Sequence, residues 1–273
     1  MTRARFKILR HFLAGRRNGT SWADIAAFFF DVSYARKARG FIERTEDAGD
    51  FLEVRLRGLA APLFWPKILP FRSLEEVLVE ILDGRNWHRY FEKDHILSPG
   101  DVVLDCGAAE GLFSLVAASR GARVFAIEPL PEFQRSMART FRNWPGVAVL
   151  PYALSSRPGQ SFIQSAGICS RISAAGPGTP IQVETLDRLF AGPLPAIRFI
   201  KADLEGFDLE ALEGAREIIA RDAPRISVTT YHHPEHARQI ADFLMRLQPR
   251  YHIRTLGIYQ ETGSPVMLHA WCE

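Results

Sequence analysis

Short apolar runs alternate with amphipathic helical segments from residue 98 onward. The runs are Val102–Asp105, Arg123–Ile127, Val147–Leu150, Arg198–Ala202 and Arg225–Thr230, and helical segments are predicted at Leu112–Ser119, Pro131–Arg142, Phe207–Ala220 and Pro234–Leu247. Strands that alternate with helices predict βαβ units and a largely parallel sheet. Two last runs, Tyr251–Tyr259 and Pro265–Trp271, are joined by a short turn and are expected to pair antiparallel. The fold class is therefore α/β.

The first part of the chain has a different pattern, which predicts a mostly helical region over residues 1–95 and a second domain over residues 96–273. Its clearest helix runs from Ser73 to Leu82, with Ser73 as the cap and Glu76 completing a capping box. Three prolines make Ala61–Pro70 an irregular linker. The helical region is expected to act as a cap, a substrate contact or an oligomer contact.

Residues 155–180 break the regular pattern because they are rich in serine, glycine and proline. They predict a long surface loop with one strand at Ser161–Gln164. Loops of that length in a compact domain are usually functional.

Composition supports an ordinary globular protein. The chain has 273 residues, 47% of them hydrophobic, and a formal net charge of +3. Its three cysteines are odd in number and lack a CxxC spacing, which argues against a disulfide framework or structural zinc and favours the cytoplasm. The longest apolar run, Ile25–Phe30, is far too short for a membrane span. No signal peptide is predicted.

Basic residues cluster at the N-terminus, where Arg3, Arg5, Lys7, Arg10, Arg16 and Arg17 all precede the first acid, Asp24. Such an arm can contact an anionic surface or nucleic acid. A solvated helix face or a frayed terminus is the favoured interpretation. Nucleic acid is not predicted as a partner, because no aromatic residues are interleaved for base stacking.

Four residues on consecutive strands predict a cofactor site. Asp105 ends the first strand of the second domain, Gly107 and Gly111 shape the turn that follows, and Glu128 ends the next strand. Gly107 permits a tight turn, and Gly111 permits close approach of a ligand or of the helix. Ala109 replaces the second glycine of the dinucleotide fingerprint, so a diphosphate is disfavoured. Asp105 can pair with an ammonium group and Glu128 with two ribose hydroxyls, which favours S-adenosylmethionine.

These motifs resemble the FkbM family of S-adenosylmethionine-dependent methyltransferases. The resemblance rests on Pro99–Ala108, Ala126–Pro131, Ala153–Ser155, Val183–Asp187 and Phe199–Gly206, continues through Leu209–Ala215 and includes Tyr231–Glu235. It implies a Rossmann-like seven-stranded sheet with the last strand antiparallel, and usually O-methylation of sugars, polyketides or other secondary metabolites. It adds Ala108, Pro129 and Ala153 to the expected cofactor-binding residues. Residues 1–85 fall outside it.

Candidate catalytic groups lie after the fourth and fifth strands of this sheet. Asp203 is a candidate base, metal ligand or hydrogen-bond acceptor, against the alternative of a turn cap. Glu205 is a second candidate, with a helix cap or a group that orients Lys201 as equal alternatives. His232 is a candidate base because imidazole titrates near neutral pH, with a hydrogen-bonded structural histidine as the alternative. Arg171 and Tyr231 are expected to bind the substrate, with a solvent-exposed arginine as the alternative for Arg171.

Other groups near these strands are expected to be less central. Lys201 is predicted to extend across the sheet to solvent. Tyr90 and His95 can roof the pocket, although packing is the favoured role. Zinc is not predicted because no His-Glu-x-x-His pattern exists; a divalent metal at Asp203 stays open but is not favoured.

The sequence thus predicts a methyltransferase that acts on a hydroxyl of a small-molecule or glycan acceptor. The alternatives are a nicotinamide-dependent (NAD(P)) oxidoreductase on a similar sheet and a non-catalytic S-adenosylmethionine-binding scaffold. A homodimer formed through the N-terminal helices is a further possibility.

Overall fold

The computed structural model describes residues 3–92, 97–164, 171–173 and 178–273. Its first part combines helices with a small antiparallel sheet of order β1-β2-β3. The elements are α1 (Arg3–Leu13), α2 (Trp22–Phe30), α3 (Tyr34–Phe41), β1 (Ile42–Ala48), β2 (Phe51–Leu56), β3 (Leu63–Pro66) and α4 (Phe71–Leu82). The expectation of a mostly helical region was therefore wrong for residues 42–66. The sequence pattern did not indicate the strand β1, because its residues are highly charged and largely exposed and form no apolar face.

The helix α4 begins two residues earlier than predicted. Pro70 precedes it and no side chain caps it, so Ser73 lies inside its first turn. Glu76 does not close a capping box; its carboxylate accepts a hydrogen bond from Arg72 at 3.0 Å. The predicted linker before α4 contains β3, which pairs with β2.

The second part of the chain forms the expected alternation of strands and helices. Its elements are β4 (Val102–Cys106), α5 (Leu112–Ser119), β5 (Arg123–Ile127), α6 (Pro131–Thr140), β6 (Val147–Leu150), β7 (Tyr152–Leu154), β8 (Gly159–Gln164), β9 (Arg171–Ser173), β10 (Thr179–Glu184), α7 (Leu186–Leu189), β11 (Ile197–Ala202), α8 (Asp208–Glu213), α9 (Arg216–Asp222), β12 (Arg225–Thr229), α10 (His236–Leu247), β13 (His252–Leu256) and β14 (Met267–Trp271).

Seven of these strands form one sheet in the order β13-β14-β12-β11-β4-β5-β6. The pairs β4–β5, β5–β6, β4–β11 and β11–β12 are parallel, whereas β14 is antiparallel to both of its neighbours. The predicted Rossmann-like sheet with an antiparallel last strand is confirmed. After β4 the chain adds β5 and β6 on one side of that strand, and it later adds β11 on the other side. The strand order therefore reverses at β4, and ligands bind at such a switch point.

Two predicted features differ in detail. The helix expected over residues 207–220 is interrupted at Gly214, where a Cβ atom would lie 2.3 Å from the carbonyl oxygen of Ser155. Residues 155–180 are not one long loop. Their strands β8, β9 and β10 join β7 in a second sheet of order β7-β10-β8-β9. The serine, glycine and proline residues masked this strand pattern.

The N-terminal part shares a hydrophobic core with the seven-stranded sheet. Leu63, Trp65 and Leu74 pack in one buried cluster with Leu112 and Met137, which belong to α5 and α6. A second cluster covers the opposite side of the sheet and includes Ile200, Ile218 and Ile240. Residues 3–92 are therefore an integral layer of the fold. The boundary between two domains near residue 96 stays a prediction.

Candidate active site

A pocket of about 240 Å³ opens at the carboxyl ends of β5, β4, β11 and β12. Its floor comes from the segments that follow these strands, and its roof comes from α4 and residues 88–90. The lining residues that carry polar or turn chemistry are Glu76, Glu80, His88, Tyr90, Gly107, Ala108, Ala109, Glu110, Glu128, Pro129, Lys201, Asp203, Glu205 and Tyr231. The structure thus brings together most of the predicted site residues.

The glycine turn after β4 is fixed by close contacts. Gly107 has a φ of 74°, and a Cβ atom on it would lie 2.0 Å from the carbonyl oxygen of Asp203. A side chain there is excluded by backbone, which does not give way. At Gly111 a Cβ atom would lie 2.8 Å from Cγ of Met137, so this glycine permits close packing of α5 on α6. Of the two roles expected for Gly111, close approach of a ligand or close packing of the helix, the contact with Met137 supports helix packing.

Asp105 lies fully buried beneath this turn. Its carboxylate accepts a hydrogen bond from Ser114 at 2.7 Å and lies 3.1 Å from Nζ of Lys201. Asp105 does not line the pocket, so its carboxylate cannot contact a ligand there in the way that the predicted pairing with an ammonium group requires.

Lys201 does not reach solvent, contrary to the sequence-based expectation. Its buried ammonium group donates to the carbonyl oxygen of Gly107 and lies 5.3 Å from the ring centre of Tyr90. Burial acts to lower the pKa of Lys201, but the nearby Asp105 and Asp203 carboxylates outweigh it and leave that pKa raised. The charged lysine therefore ties β11 to the glycine turn.

Glu128 ends β5 and lines the pocket as predicted. Its two carboxylate oxygens accept hydrogen bonds of 3.0 Å from the backbone N–H groups of Ala109 and Leu130. Burial raises the pKa of Glu128 to about 7, and burial raises that of its neighbour Glu110 to about 7 as well. Each carboxylate oxygen keeps a lone pair for a further donor.

The other predicted cofactor residues divide into two groups. Ala108 and Pro129 line the pocket. Ala153 is buried in β7, packed in the core and away from the pocket lining. Their roles in cofactor binding stay predictions.

Asp203 follows β11 and is held by donors on two sides. The Tyr90 hydroxyl donates to Oδ2 at 2.6 Å, and the Thr229 hydroxyl donates to Oδ1 at 3.1 Å. His88 lies 3.9 Å from the same carboxylate. Burial would raise the pKa of Asp203, but His88, Lys201, His232 and the Tyr90 hydroxyl together lower it. Asp203 is therefore an anion at neutral pH.

His232 has carboxylates near both ring nitrogens. Nε2 lies 3.4 Å from Glu205, and Nδ1 lies 3.7 Å from Asp208. Burial acts to lower the pKa of His232, but the contacts with Asp208 and Glu205 and the charge of Asp203 raise it to about 10. His232 is thus an imidazolium at neutral pH, which differs from the expectation of a base that titrates near neutrality.

Asp203, Glu205 and His232 form a cluster with metal-ligand chemistry, since one ligand atom from each lies within 4.8 Å of the others. Glu205 reaches this cluster from a left-handed backbone conformation with a φ of 53°. The three groups can hold a divalent cation. Glu205 and His232 are paired with each other, and Asp203 accepts hydrogen bonds from Tyr90 and Thr229, so their geometry does not require one.

The α4 side of the pocket includes residues that sequence reasoning missed. Glu76 and Glu80 lie one turn apart on α4 and face the pocket, although the region before residue 86 showed no recognisable motif. Their i, i+4 spacing was the available signal. Tyr90 contributes a hydrogen bond to Asp203 as well as packing.

Tyr231 lies as predicted at the pocket, with its hydroxyl 3.5 Å from Nε2 of His88 and its ring centre 4.3 Å from that of His232. Arg171 belongs to β9, but its side chain lies outside the described part of the structure, as does all of His95. Their roles stay predictions.

Comparison with known proteins identifies the fold and the family of the chain. The family model described as "Methyltransferase FkbM domain" matches residues 105–252. The hexuronic acid methyltransferase AglP of Haloferax volcanii is 29% identical over 119 residues, which are 42% of this chain and 49% of that protein. The crystal structure of the methyltransferase FkbM from Methylobacillus flagellatus superposes with a TM-score of 0.52 and 22% identity, covering 67% of this chain and 46% of that one. The match thus spans about half the length of each of these two relatives.

Proposed function

The chain belongs to the FkbM methyltransferase family, and from this premise we propose that it transfers a methyl group from S-adenosylmethionine to a hydroxyl group of a sugar or a similar polyhydroxylated acceptor. One observation carries the proposal. A single pocket contains the glycine turn and Glu128 toward β5, and Asp203, Glu205 and Tyr231 toward β11 and β12. A methyl donor and an acceptor can therefore lie side by side along the edge of the sheet. The family match gives no support to the oxidoreductase alternative.

The residues toward β5 fit an adenosyl ligand. Glu128 has free lone pairs for ribose hydroxyls, while the turn at Gly107 and the ring of Pro129 flank the same space. The described lining carries six carboxyl groups, at Glu76, Glu80, Glu110, Glu128, Asp203 and Glu205, and its one lysine is paired with Asp105. This charge suits a cationic sulfonium. When bound, S-adenosylmethionine supplies an activated methyl group.

We assign Asp105 a positioning role in this site. Its carboxylate holds Lys201, and Lys201 donates to the Gly107 carbonyl oxygen, so the acid fixes the turn against which the ligand would lie. This differs from direct pairing with the ligand, because Asp105 has no surface in the pocket.

Asp203 is the proposed acceptor for the hydroxyl proton. A hydroxyl becomes strongly acidic only as its oxygen forms the new bond, so a carboxylate with a lowered pKa can take the proton late in the transfer. Tyr90 and Thr229 hold the carboxylate in place. His232 does not line the pocket, and as an imidazolium it pairs with Glu205 and Asp208, so we assign it a positioning role for Glu205 rather than that of the base.

The acceptor is proposed to be uncharged or cationic at the site of methylation. Glu76 and Glu205 line the proposed acceptor side and would repel a carboxylate group, while burial raises the pKa of Glu80 beside them. The relative from Haloferax volcanii is a hexuronic acid methyltransferase, so this proposal separates the two proteins by acceptor charge. The charge of Arg171 would act in the opposite direction if its side chain reached the pocket.

The test is an assay with methyl-labelled S-adenosylmethionine and a matched set of acceptors: a neutral hexose, its amino sugar and its uronic acid. Release of S-adenosylhomocysteine and gain of label by the neutral or amino sugar are expected. Preference for the uronic acid would overturn the acceptor class and favour Arg171 as an anion-binding residue. Binding of S-adenosylhomocysteine without turnover on any acceptor would favour the scaffold alternative, and absence of its binding would refute the proposed cofactor.

A further inference from the structure

The helices α1 and α2 form a hairpin that is anchored on one side and open on the other. The rings of Phe12 and Trp22 meet edge to face at 4.7 Å, and the Arg5 guanidinium donates to the carbonyl oxygens of Phe29 and Asp31. Ile8, Phe12 and Ile25 are buried in one cluster with Ile258. The inner side of the hairpin is therefore fully used by the fold.

The other side exposes large apolar side chains, at Phe6, Leu13, Trp22 and Phe30. Their exposed fractions are 59%, 64%, 57% and 89%. Three exposed alanines, Ala23, Ala26 and Ala27, lie between Trp22 and Phe30 along α2. Six of the nine exposed large hydrophobic residues in the described structure fall within residues 6–34. Apolar residues concentrated in this way indicate a contact surface.

The same side carries positive charge that no salt bridge in the described ranges pairs, although Arg3 lies near enough to Glu261 to help lower the pKa of that carboxyl group. Arg3 and Arg10 alternate with Phe6 and Leu13 along α1, which contains no acidic residue. Within the described ranges neither of these arginines, nor Arg17, has a carboxylate in ion-pair distance. The other basic residues of this segment have partners in the fold: Arg5 bonds carbonyl oxygens, Lys7 pairs with Glu261, and Arg16 donates to the Thr262 carbonyl oxygen.

Asp24, the first acid along the sequence, has its hydrogen bonds within its own helix start. Asp24 accepts from both the backbone N–H and the hydroxyl of Ser21, and so completes the capping box of α2. We call the surface formed by Arg3, Phe6, Arg10, Leu13, Arg17, Trp22 and Phe30 the hairpin face.

We propose that the hairpin face binds the surface of an anionic phospholipid bilayer. Arginines attract anionic headgroups, and exposed aromatic and aliphatic side chains enter the boundary between headgroups and acyl chains. The proposal is one of peripheral contact, since no helix in the described ranges is long and apolar enough to cross a bilayer. It does not depend on the proposed methyl transfer.

Two other occupants fit the hairpin face less well. A second copy paired through the same face by a two-fold axis would place arginines near arginines. Nucleic acid would pair with the arginines but would leave Leu13 and the almost fully exposed Phe30 without an apolar environment.

The test is sedimentation of the full chain with vesicles of phosphatidylcholine alone and with vesicles in which phosphatidylglycerol replaces part of it. Binding is expected only to the anionic vesicles and should weaken as salt is raised. Failure to bind anionic vesicles at low salt would overturn the proposal. So would equal binding to both vesicle types.

Paired variants separate the two contributions. The double variant Arg3→Gln with Arg10→Gln should weaken binding roughly thirtyfold. Removing one or two arginines from contact with an anionic surface lowers the affinity about tenfold. Phe6→Ser with Phe30→Ser should weaken it at least about tenfold. The matched controls on other surfaces, Arg246→Gln with Arg250→Gln and Ile68→Ser with Met245→Ser, should leave binding unchanged.

The rival occupants give distinct results. Binding to duplex DNA or RNA that exceeds binding to anionic vesicles, and that Phe6→Ser with Phe30→Ser leaves intact, would assign the face to nucleic acid and overturn the proposal. A dimer in solution that these substitutions dissociate would assign it to a second copy, with the same consequence. Thermal unfolding of each variant verifies that it is folded.

Discussion

The protonation state of His232 follows from the carboxylates around it rather than from the ordinary pKa of imidazole. Glu205, Asp208 and Asp203 stabilise the imidazolium, so the residue whose chemistry best suits a general base is charged at neutral pH. Asp203, whose pKa is lowered by the charges around it, is the group proposed to receive the proton. The sequence could place both residues at adjacent strand ends, but it could not supply the charges that set their pKa values.

Replacing the Asp203 carboxylate by an amide should abolish proton acceptance while keeping the shape of the side chain. Asp203→Asn is expected to lower kcat roughly a hundredfold or more, as for loss of a general base. Steady-state rates with saturating S-adenosylmethionine measure this. Asp242→Asn, a change of an exposed acid on α10, is the control and should leave kcat unchanged. A kcat of Asp203→Asn within a few fold of wild type would show that another group accepts the proton.

Glu128 should make ligand affinity depend on pH. Burial raises its pKa to about 7, and in the proposed ribose contact the ionised carboxylate is a stronger acceptor than the protonated one. As the pH falls below about 7 the carboxyl group is protonated, so the affinity for S-adenosylhomocysteine should decrease, by at most about tenfold per pH unit. Calorimetric titration across this range measures the slope.

The variant Glu128→Gln should bind S-adenosylhomocysteine more weakly and without this slope. Glu110→Gln provides the control, because Glu110 has a similarly raised pKa but bonds only backbone groups of its own turn. If Glu110→Gln removes the slope and Glu128→Gln keeps it, the assignment of the ribose contact to Glu128 is wrong.

At the scale of elements, the turn after β4 and the end of β11 are in backbone contact, and Gly107 is the residue that permits it. Gly107→Ala should lower the free energy of unfolding by several kcal/mol, because the new Cβ atom would lie 2.0 Å from a carbonyl oxygen. Denaturant unfolding measures the loss.

Gly100→Ala is a matched control: Gly100 also has a positive φ, of 89°, but no atom lies within 4 Å of the added Cβ. It should cost only the backbone strain of about 1 kcal/mol. Equal losses in the two variants would mean that the contact is unimportant.

Elements with buried apolar runs were predictable, and elements without them were not. The strand β4 is buried at every position and stands out as a continuous apolar run. The strand β1 has five exposed residues in its middle and gives no such signal, although its pairing with β2 builds the N-terminal sheet. The same limit applies to the site. Glycines and acids at strand ends were visible, whereas the approach of Lys201 to Asp105 depends on the pairing of β11 with β4.

At the scale of the whole molecule, the two parts of the chain cannot be separated without exposing their common core. Leu112, Met137 and Phe141 are buried partly by Trp65 and Leu74 from the first part. Residues 98–273 expressed alone should therefore aggregate or bind a hydrophobic dye, and should lack a cooperative thermal transition. Calorimetry on this fragment and on the full chain makes the comparison. A cooperative transition in the fragment would show that residues 1–97 are dispensable for folding.

The helix α4 lies outside the segment that matches the family, yet it supplies the wall of the pocket that carries Glu76 and Glu80. If α4 carries the acceptor side, as proposed, the segment that binds the methyl donor and the helix that selects the acceptor can diverge independently. A few substitutions on one face of α4 are then expected to change which molecule is methylated while Gly107 and Glu128 stay as they are. Among relatives with this arrangement, similarity over the matched segment would track the reaction, and divergence in α4 would track the choice of acceptor.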